Sequence, residues 1–202
     1  KVIGAPRVRR LENDNIRLYT RVEDGIISLL SEDDGITFEL EEGVVLTEQD
    51  LDIIDPIKFS PYKLIDGSYR AYVSDGPGAP VSTRKVKSAK SNDMINWSVE
   101  EGIRVGYGSV LSGVAREPFP FLRNDDCITL FYVKKDKIYY STSKNGLDFT
   151  EEYFLELENM PEAGPVIQYI PNDDRYLLYY DATDVDAGDH HHMRVAEIFL
   201  SK

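Results

Sequence analysis

Short runs of aromatic and β-branched residues recur along the chain, each entered through a cluster of Asn, Asp or Gly. Residues 16–22, 69–73, 128–133 and 176–180 are such runs, and the clusters before them are Asn13-Asp14-Asn15, Asp66-Gly67, Asn124-Asp125-Asp126 and Asn172-Asp173-Asp174. Side chains of these types suit a pleated, half-buried surface, and the polar clusters suit tight turns. No long segment repeats its apolar positions at the 3.6-residue period of a helix, although residues 48–54 leave room for a short one. The pattern predicts an all-β chain.

Two landmarks divide that pattern into repeats. One is a box that ends on a large aromatic: Ser31-Glu32-Asp33-Asp34-Gly35-Ile36-Thr37-Phe38, Ser91-Asn92-Asp93-Met94-Ile95-Asn96-Trp97 and Ser143-Lys144-Asn145-Gly146-Leu147-Asp148-Phe149. The serine hydroxyl and the Asp or Asn side chain can bond the backbone of a tight turn, while the aromatic plugs the layer beneath. The other landmark is a proline opening each repeat, in Ala5-Pro6, Asp55-Pro56, Glu117-Pro118 and Gly164-Pro165. Pro6 lies 25 residues before Ser31 and Pro118 25 before Ser143, whereas Pro56 lies 35 before Ser91, with the excess in the glycine- and proline-rich residues 74–81. Repeats at about 4–50, 51–112, 113–160 and 161–202 each read as four short antiparallel strands. That is the blade of a β-propeller, so one propeller domain is expected. In the fourth repeat Pro165 lies 36 residues before Ser201, the excess falling in residues 181–192, which read as a loop. Ser201-Lys202 match the first two residues of a box. Two readings stay open: the chain is a fragment, or another segment or chain completes the last blade, as in a homo-oligomer.

Charge narrows the partners. Of 202 residues, 36 are acidic and 23 basic, a net charge of −13, which argues against nucleic acid or an anionic membrane as the main partner. Cys127 is the one cysteine and sits in a strand pattern, so no intrachain disulfide is expected. Neither a signal peptide nor an apolar span of membrane length is visible, and cytoplasmic and secreted locations both stay open. Gly-rich phosphate loops, Cys/His zinc spacings and Gly-x-Ser-x-Gly elbows are missing, which speaks against nucleotide cofactors and serine hydrolysis.

Residues 31–38 resemble the sialidase Asp-box in every defining position. The second and third boxes, with the acid-proline landmark, resemble the arabinanase/β-xylosidase and β-fructosidase families of five-bladed glycosidases. The resemblance implies a propeller of the five-bladed type and a glycoside hydrolase acting on oligo- or polysaccharides. In such a fold the box turns lie at the end of the blade away from the site, so Asp33, Asp93 and Asn145 are expected to be structural. The residues before the prolines ring the axial funnel instead. By this resemblance Asp55 is the base, Glu162 in Glu162-Ala163-Gly164-Pro165 the general acid, and Glu117 in Arg116-Glu117-Pro118 the middle acid that steadies the transition state. One carboxylate activating water or attacking the sugar, and a protonated one serving the leaving oxygen, is the arrangement glycoside hydrolysis needs. The sequence departs from these families in three ways. Its middle acid is Glu rather than Asp, an extra residue separates Glu162 from its proline, and Ala5 stands where a further acid would.

Substrate contacts are expected from Arg116, from Tyr107 as a stacking face, and from His190 and His192 in the loop reading of residues 181–192. Successive histidines in an extended run alternate in direction, so no metal site is assigned there. No cofactor is expected, with a central Ca2+ or other ion left open. The principal alternative is a propeller that binds a sugar or a protein without catalysis. A sialidase, with Arg70, Arg116 and Arg123 gripping a substrate carboxylate, ranks third because only Arg116 stands at a strand entry.

Overall fold

The computed structural model describes residues 4–123, 126–157, 160–171, 173, 175–184 and 190–199. They form the four antiparallel blades of an all-β propeller, the class the repeats predict. The chain divides into two compact units, Lys1–Arg116 and Glu117–Lys202.

In the first unit, blade 1 contains β1 (Gly4–Arg10), β2 (Ile16–Val22) and β3 (Gly25–Ser31) in meander order. Its outer edge is split between β4 (Glu39–Leu40), on Leu29 and Leu30, and β5 (Leu46–Thr47), on Gly25 and Ile26. Blade 2 repeats this plan with β6 (Ile57–Lys63), β7 (Tyr69–Ser74) and β8 (Lys85–Ser91), then β9 (Trp97–Val99) and β10 (Val105–Gly106) at the two ends of β8. One helical turn, α1 (Glu48–Leu51), links the blades. Thr47 caps it: its hydroxyl accepts the Asp50 N–H while the Asp50 carboxylate accepts the Thr47 N–H, satisfying two otherwise orphaned donors.

Alternation along the strands places one face of each blade in a shared core. Tyr19, Ile26, Phe59, Val73, Ala89 and Trp97 are buried there together. The rings of Tyr19, Phe59 and Trp97 meet in tilted and edge-on pairs with centroids 4.9–6.1 Å apart. Two buried Arg–carboxylate forks brace the same blades. Arg17 on β2 donates to both oxygens of Glu41, at 2.7 Å each, and Arg70 on β7 donates likewise to Glu100. Arg70 is thus a brace within its own blade and does not join a substrate-gripping cluster.

In the second unit, blade 3 runs β11 (Arg116–Leu122), β12 (Ile128–Lys134), β13 (Lys137–Ser143) and β14 (Tyr153–Phe154). Blade 4 is three-stranded among the described residues: β15 (Met160–Ile170), β16 (Arg175–Asp184) and β17 (His190–Ile198). Their core holds Phe131, Val133, Ile138, Ile167, Leu178 and Ile198. Cys127 lies just ahead of β12, half-buried rather than inside the strand.

The excess length of blade 2 is mostly one loop, residues 75–84, where blades 1 and 3 have the tight turns Glu23-Asp24 and Lys135-Asp136. An irregularity between Ile57 and Ser60 of β6 takes up part of the rest. In blade 4 the excess instead lengthens the hairpin. Asp181 pairs with Met193 and Ala182 with His192, so residues 181–184 and 190–192 are strand and not loop. The backbone of residues 190–193 extends the ladder with 181–184, which the loop reading of that stretch overlooked.

Candidate functional site

Strand register fixes which residues share an end of a blade. In blade 1 the box serine Ser31 pairs with Ile16, beside Arg10 at the far end of β1; Gly4 pairs with Arg21 at the near end. In blades 1–3 the proline therefore lies at the opposite end of the blade from the box. The residues before the four prolines share a further property. Ala5, Asp55, Glu117 and Gly164 have φ of 54, 56, 60 and 63°. A left-handed residue ahead of proline is doubly disfavoured, by its own Cβ and by the proline ring, and only Gly164 escapes the first of these. In blades 1, 2 and 4 the register of the inner strand shifts near this residue. The strain, of order 1–3 kcal/mol at each non-glycine position, falls on two of the three candidate acids, Asp55 and Glu117, and on Ala5.

Three contacts hold Asp55. Its Oδ1 meets Arg21 Nη1 at 2.6 Å, and its Oδ2 accepts the Gly78 N–H at 3.0 Å. Its own N–H donates to Glu48 Oε1 at 2.7 Å. The 75–84 loop closes over it: a Cβ on Gly76 would stand 2.1 Å from the Asp55 carbonyl oxygen, so only glycine allows that approach. Asp75, buried at the root of the loop, accepts the N–H groups of Ile54 and Lys85, both at 2.8 Å. Burial pushes the Asp75 carboxyl up, and those two donors offset part of the shift.

Beside Asp55, and within the same unit, lies a cavity of about 630 Å³. Glu48, Asp52, Ile54, Pro80, Lys85 and Tyr107 line it. Tyr107 follows β10 and is 57% exposed, as a stacking residue requires.

The remaining candidates belong to the second unit, apart from Arg116 at the boundary. Arg116 opens β11 and is half-buried, and Glu117 follows it, 7% exposed. Glu162 and His190 lie in β15 and β17, but their side chains are outside the described residues. His192 is exposed on β17. Arg21, Glu48 and Gly78 were not among the expected site residues. The glycine-rich excess in blade 2 was the one available signal for Gly78, and nothing in the sequence pairs Arg21 with Asp55.

The box carboxylates are spent on their own turns. Asp33 accepts the Thr37 hydroxyl at 2.6 Å, the Thr37 N–H at 2.8 Å and the Ser31 hydroxyl at 2.8 Å, which hold its carboxyl down at about 2. Asp93 accepts the backbone N–H and the side-chain amide of Asn96, with Ile95 N–H and Ser91 Oγ, and is pulled lower still. Asn145 plays the same part in blade 3, accepting the N–H groups of Leu147 and Asp148. This is the structural role expected for all three.

No protein-family model and no curated relative matches the sequence. Solved structures with this fold do. A thermostable family-43 glycoside hydrolase superposes with a TM-score of 0.74 at 16% identity, over 96% of this chain and 68% of its own. The endo-arabinase of Bacteroides thetaiotaomicron gives 0.75 at 14% identity, over 100% of this chain and 76% of its own. The α-L-arabinanase of Penicillium chrysogenum, solved in complex with arabinobiose, gives 0.67 at 15% identity, over 96% and 62%. At such identities the likeness establishes the fold, and the fold's neighbours are glycoside hydrolases.

Proposed function

We propose that this protein is a glycoside hydrolase acting on oligo- or polysaccharides, with Asp55, Glu117 and Glu162 as its working carboxyl groups. The observation that carries the reading is the strained residue before the inner-strand proline. Two blades place an acid, Asp55 and Glu117, at that one left-handed position. Strain of this kind persists only where the surroundings over-determine it, and functional sites are where it concentrates. Asp55 is the base or nucleophile: a carboxylate has about four lone-pair positions, and the contacts from Arg21 and Gly78 leave room for a water or sugar atom. Glu162 supplies the proton to the leaving oxygen, and buried Glu117 steadies positive charge developing at the sugar. Arg116, which opens β11, is a further contact to the sugar.

The test is hydrolysis of a panel of arabino- and xylo-oligosaccharides by Asp55→Asn, Glu117→Gln and Glu162→Gln. Each variant should keep the wild-type circular dichroism spectrum and lose activity by about 10²–10⁴-fold. Wild-type rates in any two of the three would remove the assignment. The Arg21–Asp55 pair favours a second reading, a saccharide-binding propeller without catalysis, because it engages one carboxylate oxygen before any substrate arrives. Wild-type protein that binds the panel without releasing reducing ends would select that reading.

A further inference from the structure

The cavity beside Asp55 has features that the carboxylate chemistry does not use. Its volume, about 630 Å³, is that of a small-molecule site. The wall formed by the 75–84 loop is braced from within. Ala79 N–H donates to Gly76 O, Thr83 N–H to Pro80 O, and Arg84 Nη2 reaches the carbonyls of Pro77 and Ala79. The same loop donates the Gly78 N–H to Asp55, and Glu48 of the cavity wall accepts the Asp55 N–H. Exposed Tyr107 and half-exposed Ile54 offer an apolar surface, while Asp52 and Lys85, paired at 2.9 Å, offer an acceptor and a donor.

We infer that this cavity is a second saccharide-binding position, with Tyr107 as its stacking platform, and that it selects neutral sugars over acidic ones. A sugar ring presents C–H groups on its faces and hydroxyls on its rim, and the cavity answers with an aromatic face and polar groups at the edge. Selection follows from charge. Glu48, Asp52 and Asp75 stand against Lys85 in the lining and Lys87, whose charge also reaches Asp52, so the acids outnumber the cations and a uronate entering here meets net repulsion. Two hydrogen bonds tie Asp55 to these surroundings, from the Gly78 N–H of the loop to its carboxylate and from its own N–H to the Glu48 carboxylate of the wall, so a sugar held there also steadies Asp55. The inference rests on the proposed glycoside hydrolase reading for the identity of the ligand, and it needs no turnover to be tested.

The measurement is methyl NMR of Ile53 and Ile54 in the Asp55→Asn protein, titrated with xylohexaose, arabinohexaose and hexagalacturonate. Both isoleucine methyls should shift with at least one neutral hexasaccharide. The affinity should fall by about tenfold in Tyr107→Ala and survive in Tyr107→Trp. Hexagalacturonate should produce no shift. Silence of Ile53 and Ile54 toward both neutral sugars, shifts that Tyr107→Ala leaves unaltered, or equal binding of hexagalacturonate would each overturn the inference. Release of reducing ends by the wild-type protein is scored separately. Hydrolysis without cavity shifts overturns the second position alone, cavity shifts without hydrolysis overturn the hydrolase alone, and neither signal overturns both.

Discussion

The two ends of blades 1 and 2 carry similar residue types and use them in opposite ways. At the box end, Asp33 and Asp93 are saturated by donors from their own turns. Arg17 forks onto Glu41 and also reaches the Met94 carbonyl, and the Tyr19 hydroxyl donates to that same carbonyl at 2.5 Å. At the proline end stand left-handed Ala5 and Asp55 and a glycine-only contact, and beside Asp55 lies a cavity lined in part by exposed Tyr107. One end closes its polar groups against each other; the other leaves an acid, an aromatic ring and open volume facing solvent. Carboxylate count therefore says little about where chemistry lies, and the lone pairs a carboxylate has left say more.

The largest effect should come from exchanging the same substitution between the ends. Asp55→Asn should cost about 10²–10⁴-fold in hydrolysis, while Asp33→Asn and Asp93→Asn keep activity and lose stability. Comparable activity losses at both ends would erase the distinction. Next in size is the brace. Arg17 and Glu41 side chains are 6% and 22% exposed, so Arg17→Met leaves a largely buried carboxylate uncompensated. A loss of about 3–5 kcal/mol is expected in urea titration, with hydrolysis unaltered where the protein is folded. A change under about 1 kcal/mol would mean the fork is solvated in solution.

Gly76→Ala probes the open end by shape alone. Its Cβ has to displace the Asp55 carbonyl or the loop, at a cost of about 1–3 kcal/mol. Because the loop holds Asp55 through Gly78, catalysis should fall along with stability. Stability lost with catalysis intact would show that Asp55 does not depend on the loop for its position.

The division between these ends was half legible in the sequence. The serine, Asp or Asn and aromatic of each box act within a few residues of one another, so their hydrogen bonds follow from spacing, as in the bonds that Ser31 and Thr37 donate to Asp33. The prolines gave the repeat, and the repeat gave the blades. Contacts between distant segments left no such mark. Arg21 meets Asp55 across 34 positions of chain, and Arg70 meets Glu100 across 30, each chosen by strand register that no local pattern encodes. For this reason Arg70 read as a possible substrate contact. The histidines at 190 and 192 read as loop because the excess length in blade 4 was treated like that in blade 2. A hairpin can absorb added residues by growing, provided its register stays unbroken, and blade 4 does so from Tyr176–Ile198 to Asp184–His190.

The smallest effect is the dependence of stability on acid, and its sign differs between the ends. Asp33, held at about 2 against an ordinary 3.8 by the Thr37 hydroxyl and N–H, favours the folded state above 3.8. That contribution is lost as pH falls through about 2, and Asp93, lowered mainly by the Asn96 N–H, loses its own share at still lower pH. Asp75 runs the other way. Its carboxyl is raised above 3.8 by burial, so its contribution is fullest below 3.8 and declines as pH climbs through the folded value. Urea titrations between pH 2 and 7 separate the two. Asp33→Asn/Asp93→Asn should flatten the wild-type decline below pH 4 and leave the higher range alone, whereas Asp75→Asn should change only the slope above pH 4. Slopes that respond to both variants over the same range would mean that the two ends are electrostatically alike, and that the contrast between closed and open carboxylates is one of shape only.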